Sequence, residues 1–365
     1  MKKVKILHIS SAMSWRGGEQ QIVNLIEGLE LVNQEIDQKV FCAKNSAIED
    51  YLKVNNIPFS SENKNSGISF SFIKSLCQLI KSYHPSLIHI HDSHAHTACV
   101  VAHLLSNCKV PIILHRRVDF SIGNSFFSRY KYNYSYIKKV ITVSKAVKEI
   151  ISPIINSEIE VIYSSWRKSS VEGVNKINLR EELGINQSAK LVGNIAALTD
   201  HKDYITFIKT ASTIIENNDN IHFIIAGDGE LREKLQRKIH MLGLSEKIHM
   251  LGFRKDVVEI MKTLNVFFMS SKMEGLGSIL YTAFGCKIPV VSTNAGGIPE
   301  LVKHKKTGFV AKVGDYRSLS KCIIDALENE DNIITENAYN LALKNLYLNM
   351  AESTNKVYLD LLQKC

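Results

Sequence analysis

No two cysteines stand in CxxC spacing, no apolar run approaches the roughly 20 residues that span a bilayer, and no segment reads GxGxxG. Each absence removes a class. Seven cysteines, an odd number without close pairs, argue for reduced thiols in a cytoplasm and against a disulfide framework or a zinc site. Without GxGxxG, and with no acidic residue ending the second strand, a dinucleotide dehydrogenase is disfavoured. No short-period repeat occurs, which excludes a solenoid. The basic start MKKVKILHIS resembles a signal peptide, but its apolar stretch carries His8 and soon meets Trp15 and Arg16. It reads as a first buried strand.

What is present suits two domains. The chain has 365 residues, 45% hydrophobic and 22% charged, too long for one ordinary core and well outside disordered composition. Short β-rich runs alternate with helical patterns, the order of parallel α/β layers. Strands are expected at 4–10, 38–43, 86–91, 110–115, 139–144 and 158–163, then at 190–195, 221–227, 247–252, 265–270, 288–293 and 308–311. Ile22, Leu25, Ile26 and Leu29 share one face of a helix over 18–31. The polar stretch 164–178 breaks the rhythm and reads as a linker between residues 1–165 and 166–345. A last helix within 346–365 is expected to return to the first domain. The picture is two doubly wound domains facing a central cleft, with ligands at the carboxyl ends of strands.

Several loops carry chemistry. SSKMEGLGSIL sets Glu274 between a strand and a helix, beside Gly275, Leu276 and Gly277. Glycines let an anion approach first-turn amides, while a carboxylate there suits hydroxyls better than phosphate. A simple acidic helix cap is the plainer alternative. Gly17 and Gly18 follow the first strand and precede a helix, as one phosphate wall or as a plain turn. Lys202 lies just beyond a strand end, where a point charge neutralises a diphosphate or merely meets solvent. Gly252, Phe253 and Arg254 end another strand and offer backbone groups to a base. His89, His91, His94 and His96 cluster without ligand spacing, so no metal is expected. His115 ends a strand ahead of Arg116 and Arg117.

The charge is uneven. Residues 109–148 hold nine Lys or Arg and one acidic residue, Asp119, almost all of the net +9. Within them SFFSRYKYNYSYIKK interleaves Arg129 and Lys131 with aromatics. A solvated face, an anionic membrane surface, an anionic acceptor and nucleic acid are the alternatives, nucleic acid the weakest.

In order and spacing, ILHISSAMSWRGGEQQIVNLI, LIHIHDSHAH, VSKAVKEII, NIAALTDHKD, FIIAGDGELREKL, HMLGFRKDV and MEGLGSILYTAFGCKIPVVSTNAGGIPELV resemble the retaining GT-B nucleotide-sugar glycosyltransferases of family 4. The resemblance runs nearly end to end. It implies two Rossmann-like domains, a nucleoside-diphosphate-sugar donor, a glycan or lipid-linked acceptor of envelope polysaccharide assembly, and no metal or cofactor. By position, it implies that Gly17 and Gly18 face the donor diphosphate and that Lys202 neutralises it. Glu274 then accepts from sugar hydroxyls, His115 lies near the reacting sugar, and residues 275–277 bind sugar or phosphate. Two positions depart from the family pattern. Thr282 stands where a ribose-binding glutamate is common, and Ala197 where an arginine is common. Both are expected to weaken donor affinity, and they suggest the alternative of a catalytically weak, sugar-nucleotide-binding partner subunit. Arg116, Arg117, Arg129 and Lys131 are assigned to the acceptor or membrane side of a cytoplasmic, peripherally membrane-associated enzyme with no nucleic-acid partner.

Overall fold

The computed structural model describes residues 3–64, 69–123 and 125–364. The chain divides into two compact units, unit 1 from 1–165 and 347–365 and unit 2 from 166–346.

Unit 1 is built on seven strands, β1 (Val4–Ile9), β2 (Ile36–Ala43), β3 (Phe59–Glu62), β4 (Leu87–Ile90), β5 (Ile112–Arg116), β6 (Ile137–Thr142) and β7 (Glu158–Val161). They pair in parallel in the order β3-β2-β1-β4-β5-β6-β7. Such strands are covered on both faces, which is why Ile6, Leu7 and Ile9 are all fully buried. Against that apolar background His8 and His89, opposite each other in register and also fully buried, stand out.

The helix Gly17–Val32 buries Ile22, Leu25, Ile26 and Leu29. Its partner is the C-terminal helix Tyr347–Gln363, which contributes Met350, Val357, Tyr358 and Leu361 to the same core as Leu25 and Leu29. The two helices approach closely at Gly28, where an added Cβ would lie 2.6 Å from the Ala351 Cβ.

Unit 2 repeats the plan with β8 (Lys190–Ile195), β9 (Ile221–Ala226), β10 (Ile248–Gly252), β11 (Val266–Met269), β12 (Val290–Thr293) and β13 (Phe309–Ala311). Their order is β10-β9-β8-β11-β12-β13, again parallel. Phe207, Phe223 and Phe268 centre its core. The stretch read as a linker is not wholly one. Trp166 is buried in unit 2, where its indole N–H donates to the Ala342 carbonyl at 2.6 Å.

In both sheets the strand order reverses at one place, between β1 and β4 and between β8 and β11. Adjacent crossover connections leave in opposite directions there, opening a crevice outside the carboxyl ends of the strands. No helix among the described residues is long and apolar enough to cross a membrane. The six described cysteines are all free thiols.

Candidate functional site

Each switch point holds a polar cluster. In unit 2 the loop after β8 passes through a 3-10 turn, Asp200–Lys202, and the loop after β11 carries Glu274. The two meet, with Lys202 Nζ 2.5 Å from Glu274 Oε2 and both side chains only 15% and 16% exposed. Further hydrogen bonds fasten these two loops and the loop after β12 together. Ser270 Oγ donates to the Lys202 carbonyl at 2.9 Å, Lys272 N to the His201 carbonyl at 2.9 Å, and Gly297 N to the Glu274 carbonyl at 3.0 Å.

Gly275, Leu276 and Gly277 line the loop beside the pair and are buried. Gly277 has φ +82°, a left-handed conformation that a side chain resists, and a Cβ there would press on Leu280 and on Glu274 itself. The helix starts later than expected, at Ile279, and has seven residues. The polarity at 275–277 therefore comes from loop backbone, not from the mouth of a long helix. Thr282 lies within that helix, half-buried.

Gly252 and Phe253 sit at the end of β10, with Phe253 exposed. The Arg254 side chain is engaged within unit 2. Its Nε and Nη2 donate to Asp256 at 2.8 and 2.6 Å, and Nη1 and Nη2 reach Glu182 at 2.5 and 3.2 Å. These carboxylates raise the guanidinium pKa further and commit it to joining segments within unit 2.

In unit 1 the switch point gathers four histidines, with His8 on β1, His89 on β4, His91 just beyond it and His115 on β5. The ring centroids of His89 lie 4.2 Å from His91 and 5.4 Å from His115, the latter stacked within 4° of parallel. The Tyr358 hydroxyl, from the C-terminal helix, is hydrogen-bonded to His89 Nδ1 at 2.5 Å. Burial pushes His8 down to about 4 and His89, His91 and His115 well below their usual value, and the Arg117 cation adds to this. The rings are therefore neutral at neutral pH.

His8, His89 and His91 offer nitrogens all within 4.8 Å of one another, a set of metal-ligating type. His8 Nδ1 and His91 Nε2 are joined to each other at 3.0 Å, so a metal would have to break that bond. His8 was missed as a site residue because it lies 81 positions before His89. Only the β1–β4 register brings them together.

Gly17 and Gly18 are the first two residues of their helix rather than a turn before it. Arg116 is buried and turned inward, its Nη1 on the Tyr132 hydroxyl at 2.7 Å and its other donors on the Val118 and Phe120 carbonyls. That removes it from any acceptor or membrane surface. Lys139 is likewise neutralised, by Glu158 at 3.2 Å and Glu160 at 3.0 Å. Lys131 is half-buried and donates to Thr97 Oγ1 at 3.2 Å. Arg129 is exposed on the short helix Phe126–Tyr132, beside Phe126 and Phe127 at 78% and 81% exposure.

Two parallel, doubly wound, Rossmann-like units are the architecture of GT-B glycosyltransferases, and solved structures of that kind superpose on this one. Anabaena HepE in complex with UDP-glucose does so with a TM-score of 0.82 at 20% identity, over 99% of this chain and 100% of its own. A glycosyltransferase from Rickettsia africae does so at 0.84 and 19% identity, over the whole of both chains. Residues 15–165 match the Glycosyltransferase Family 4 model and residues 175–341 the Glycosyl transferases group 1 model. The chain belongs to the family 4 glycosyltransferases. Among curated relatives, a UDP-Gal:alpha-D-GlcNAc-diphosphoundecaprenol alpha-1,3-galactosyltransferase of Escherichia coli is 25% identical over 98% of this chain and 97% of its own. The N-acetyl-alpha-D-glucosaminyl L-malate synthase of Bacillus anthracis is 24% identical over 50% of this chain and 47% of its own.

Proposed function

We propose that this glycosyltransferase moves a hexose or related sugar from a nucleoside diphosphate to a hydroxyl of a lipid-linked or polymeric glycan, with retention at the anomeric carbon. The observation that carries the reading is the closed Lys202–Glu274 pair at the unit 2 switch point, beside the backbone of 275–277. Lys202 has three N–H donors and directs one to Glu274. The others are available to the phosphoryl oxygens, where positive charge is worth most as the sugar–phosphate bond breaks. Glu274 accepts from hydroxyls of the sugar, and its pairing with Lys202 fixes sugar and diphosphate relative to each other.

The acceptor hydroxyl attacks the face from which the diphosphate departs, and no metal takes part. In unit 1, His115 is neutral, and both its ring nitrogens lack a protein partner among the described residues, which leaves them open to a substrate hydroxyl. The Escherichia coli relative uses a diphosphoundecaprenol acceptor and UDP-galactose, which favours a uridine donor and an acceptor at a membrane surface. Exposed Phe126, Phe127 and Arg129 suit peripheral contact with that surface.

The test is sugar transfer and nucleotide binding in Lys202→Ala and Glu274→Gln. Loss of one preorganised charge contact lowers kcat/KM by about 10²–10³. Unchanged rates in both variants would refute the assignment. Tight nucleotide binding without turnover in the wild type would instead mark a partner subunit.

A further inference from the structure

A chain of hydrogen bonds in unit 1 runs in one direction. Arg117 Nη2 donates to His91 Nδ1 at 3.1 Å, which places the His91 proton on Nε2. That nitrogen donates to His8 Nδ1 at 3.0 Å, and His8 Nε2 in turn donates to Gln38 Oε1 at 3.1 Å. Gln38 Nε2 ends the relay on the Ile26 carbonyl at 2.9 Å, inside the helix Gly17–Val32. Each ring has one proton and one lone pair, and both are used, so the relay holds Arg117 in a single orientation.

What the relay leaves open is concentrated at its head. Of twelve buried side-chain polar atoms without a protein partner among the described residues, five belong to Arg117 (Nε, Nη1), His115 (both nitrogens) and His89 (Nε2). The nearby carboxylates Glu19 and Asp92 act on the guanidinium through their charge, while their hydrogen bonds go to other groups. Glu19 accepts from Arg16 N at 2.9 Å, and Asp92 accepts from Ser11 N, Ser11 Oγ, His94 N and Ala95 N at 2.6–3.0 Å. Burial lowers the guanidinium pKa only to about 10, so it remains a cation with unmet donors.

The stem of Arg117 lies over the first turn of that same helix, its Cδ 3.9 Å from where a Gly18 Cβ would be. There the amides of Gly17 and Gly18 have no intrahelical acceptors, and the absence of side chains leaves room for an oxyanion.

We propose that Arg117, oriented by His91, His8 and Gln38, is the phosphoryl-contacting residue of unit 1, and that His91 and His8 are positioning residues for it. The site rests on the transferase reading above and takes a diphosphate, either the donor's or that of a prenyl-diphosphate-linked acceptor.

The test uses the full chain carrying Lys202→Ala, which silences the unit 2 cation, with inorganic pyrophosphate as probe. The side-chain Nε–H resonance of Arg117, assigned by its loss in Arg117→Lys, is expected to shift and saturate. Arg117→Gln is expected to weaken pyrophosphate at least tenfold, and His91→Phe several-fold. His91→Asn, whose amide oxygen replaces Nδ1, is expected to restore most of the affinity, whereas a merely structural histidine would lower melting temperature in both variants without that rescue. In the otherwise native chain, a rise confined to the UDP-sugar KM on Arg117→Gln assigns the site to the donor. A rise confined to the prenyl-diphosphate acceptor KM assigns it to the acceptor. An Arg117 resonance unmoved at saturating pyrophosphate, or equal affinity in wild type and Arg117→Gln, would overturn the proposal even where Lys202-dependent UDP binding stands. Failure of the transferase reading looks different, with no nucleoside diphosphate bound while the Arg117 resonance still responds.

Discussion

In unit 2 the cation at the switch point, Lys202, is already closed on a carboxylate. In unit 1 Arg117, at the same kind of place, donates to a neutral imidazole and, among the described residues, feels Glu19 and Asp92 only through their charge, with no carboxylate hydrogen bond. The first arrangement carries its own counter-charge, so it is complete before a ligand arrives. The second depends on histidines staying uncharged, because a protonated His91 has no lone pair with which to accept from Arg117. The same fold thus supports one site whose cation is hydrogen-bonded to a carboxylate and one whose cation is hydrogen-bonded to an uncharged imidazole.

The largest expected effect follows from that dependence. His8, His89, His91 and His115 have native pKa values depressed below an unfolded value near 6.5, chiefly by burial. Below pH 6.5 the unfolded chain therefore binds protons that the native chain refuses, and stability falls as pH drops until the native values are reached, about 4 for His8. The loss is about 1.4 kcal/mol per histidine per pH unit over that window. Unit 2 has two such histidines, His222 and His249. Each unit contains one tryptophan, Trp15 in unit 1 and Trp166 in unit 2. Single-tryptophan variants should show Trp15 reporting unfolding at higher pH than Trp166. Coincident acid transitions would erase the distinction between the units.

A smaller effect sharpens it from the packing side. Gly28→Leu pushes the C-terminal helix off Ala351 and should destabilise unit 1 by about 1–3 kcal/mol in denaturant unfolding. The Trp166 signal should stay where it is. Smallest is the surface term. Phe126→Ser with Phe127→Ser should lower sedimentation with anionic vesicles about tenfold, part of the 1.5–3 kcal/mol that burying each ring can supply. Wild-type binding should weaken with salt. Equal binding to neutral vesicles would leave the basic residues without a role there.

Much of the architecture was legible because parallel strands are covered on both faces and so read as unbroken Val- and Ile-rich runs. β3 escaped notice for the opposite reason. FSSE has two serines and a glutamate, and it pairs only with β2 at the sheet edge. The roles of side chains were harder to read. Arg116 and Arg117 are neighbours of one type, yet successive residues at a strand end point to opposite faces, one toward Tyr132 and the other toward His91. Arg254 pairs with Asp256, two residues on, and also with Glu182, 72 residues away, a partner no local pattern announces. The His8–His91 bond spans 83 residues and no local pattern announces it. What the chain wrote locally, Glu274 with its glycines and Lys202 at a strand end, the structure places side by side.

The return of the C-terminal helix to the first unit has a consequence in time. A ribosome completes all of unit 2, residues 166–346, before it makes the helix Tyr347–Gln363 that closes the hydrophobic core around Leu25 and Leu29. The part synthesised first is therefore the part finished last. Until Tyr358 arrives, His89 lacks its hydroxyl partner and the apolar face of the helix Gly17–Val32 remains uncovered, so the nascent chain exposes apolar surface in unit 1 while unit 2 is being made.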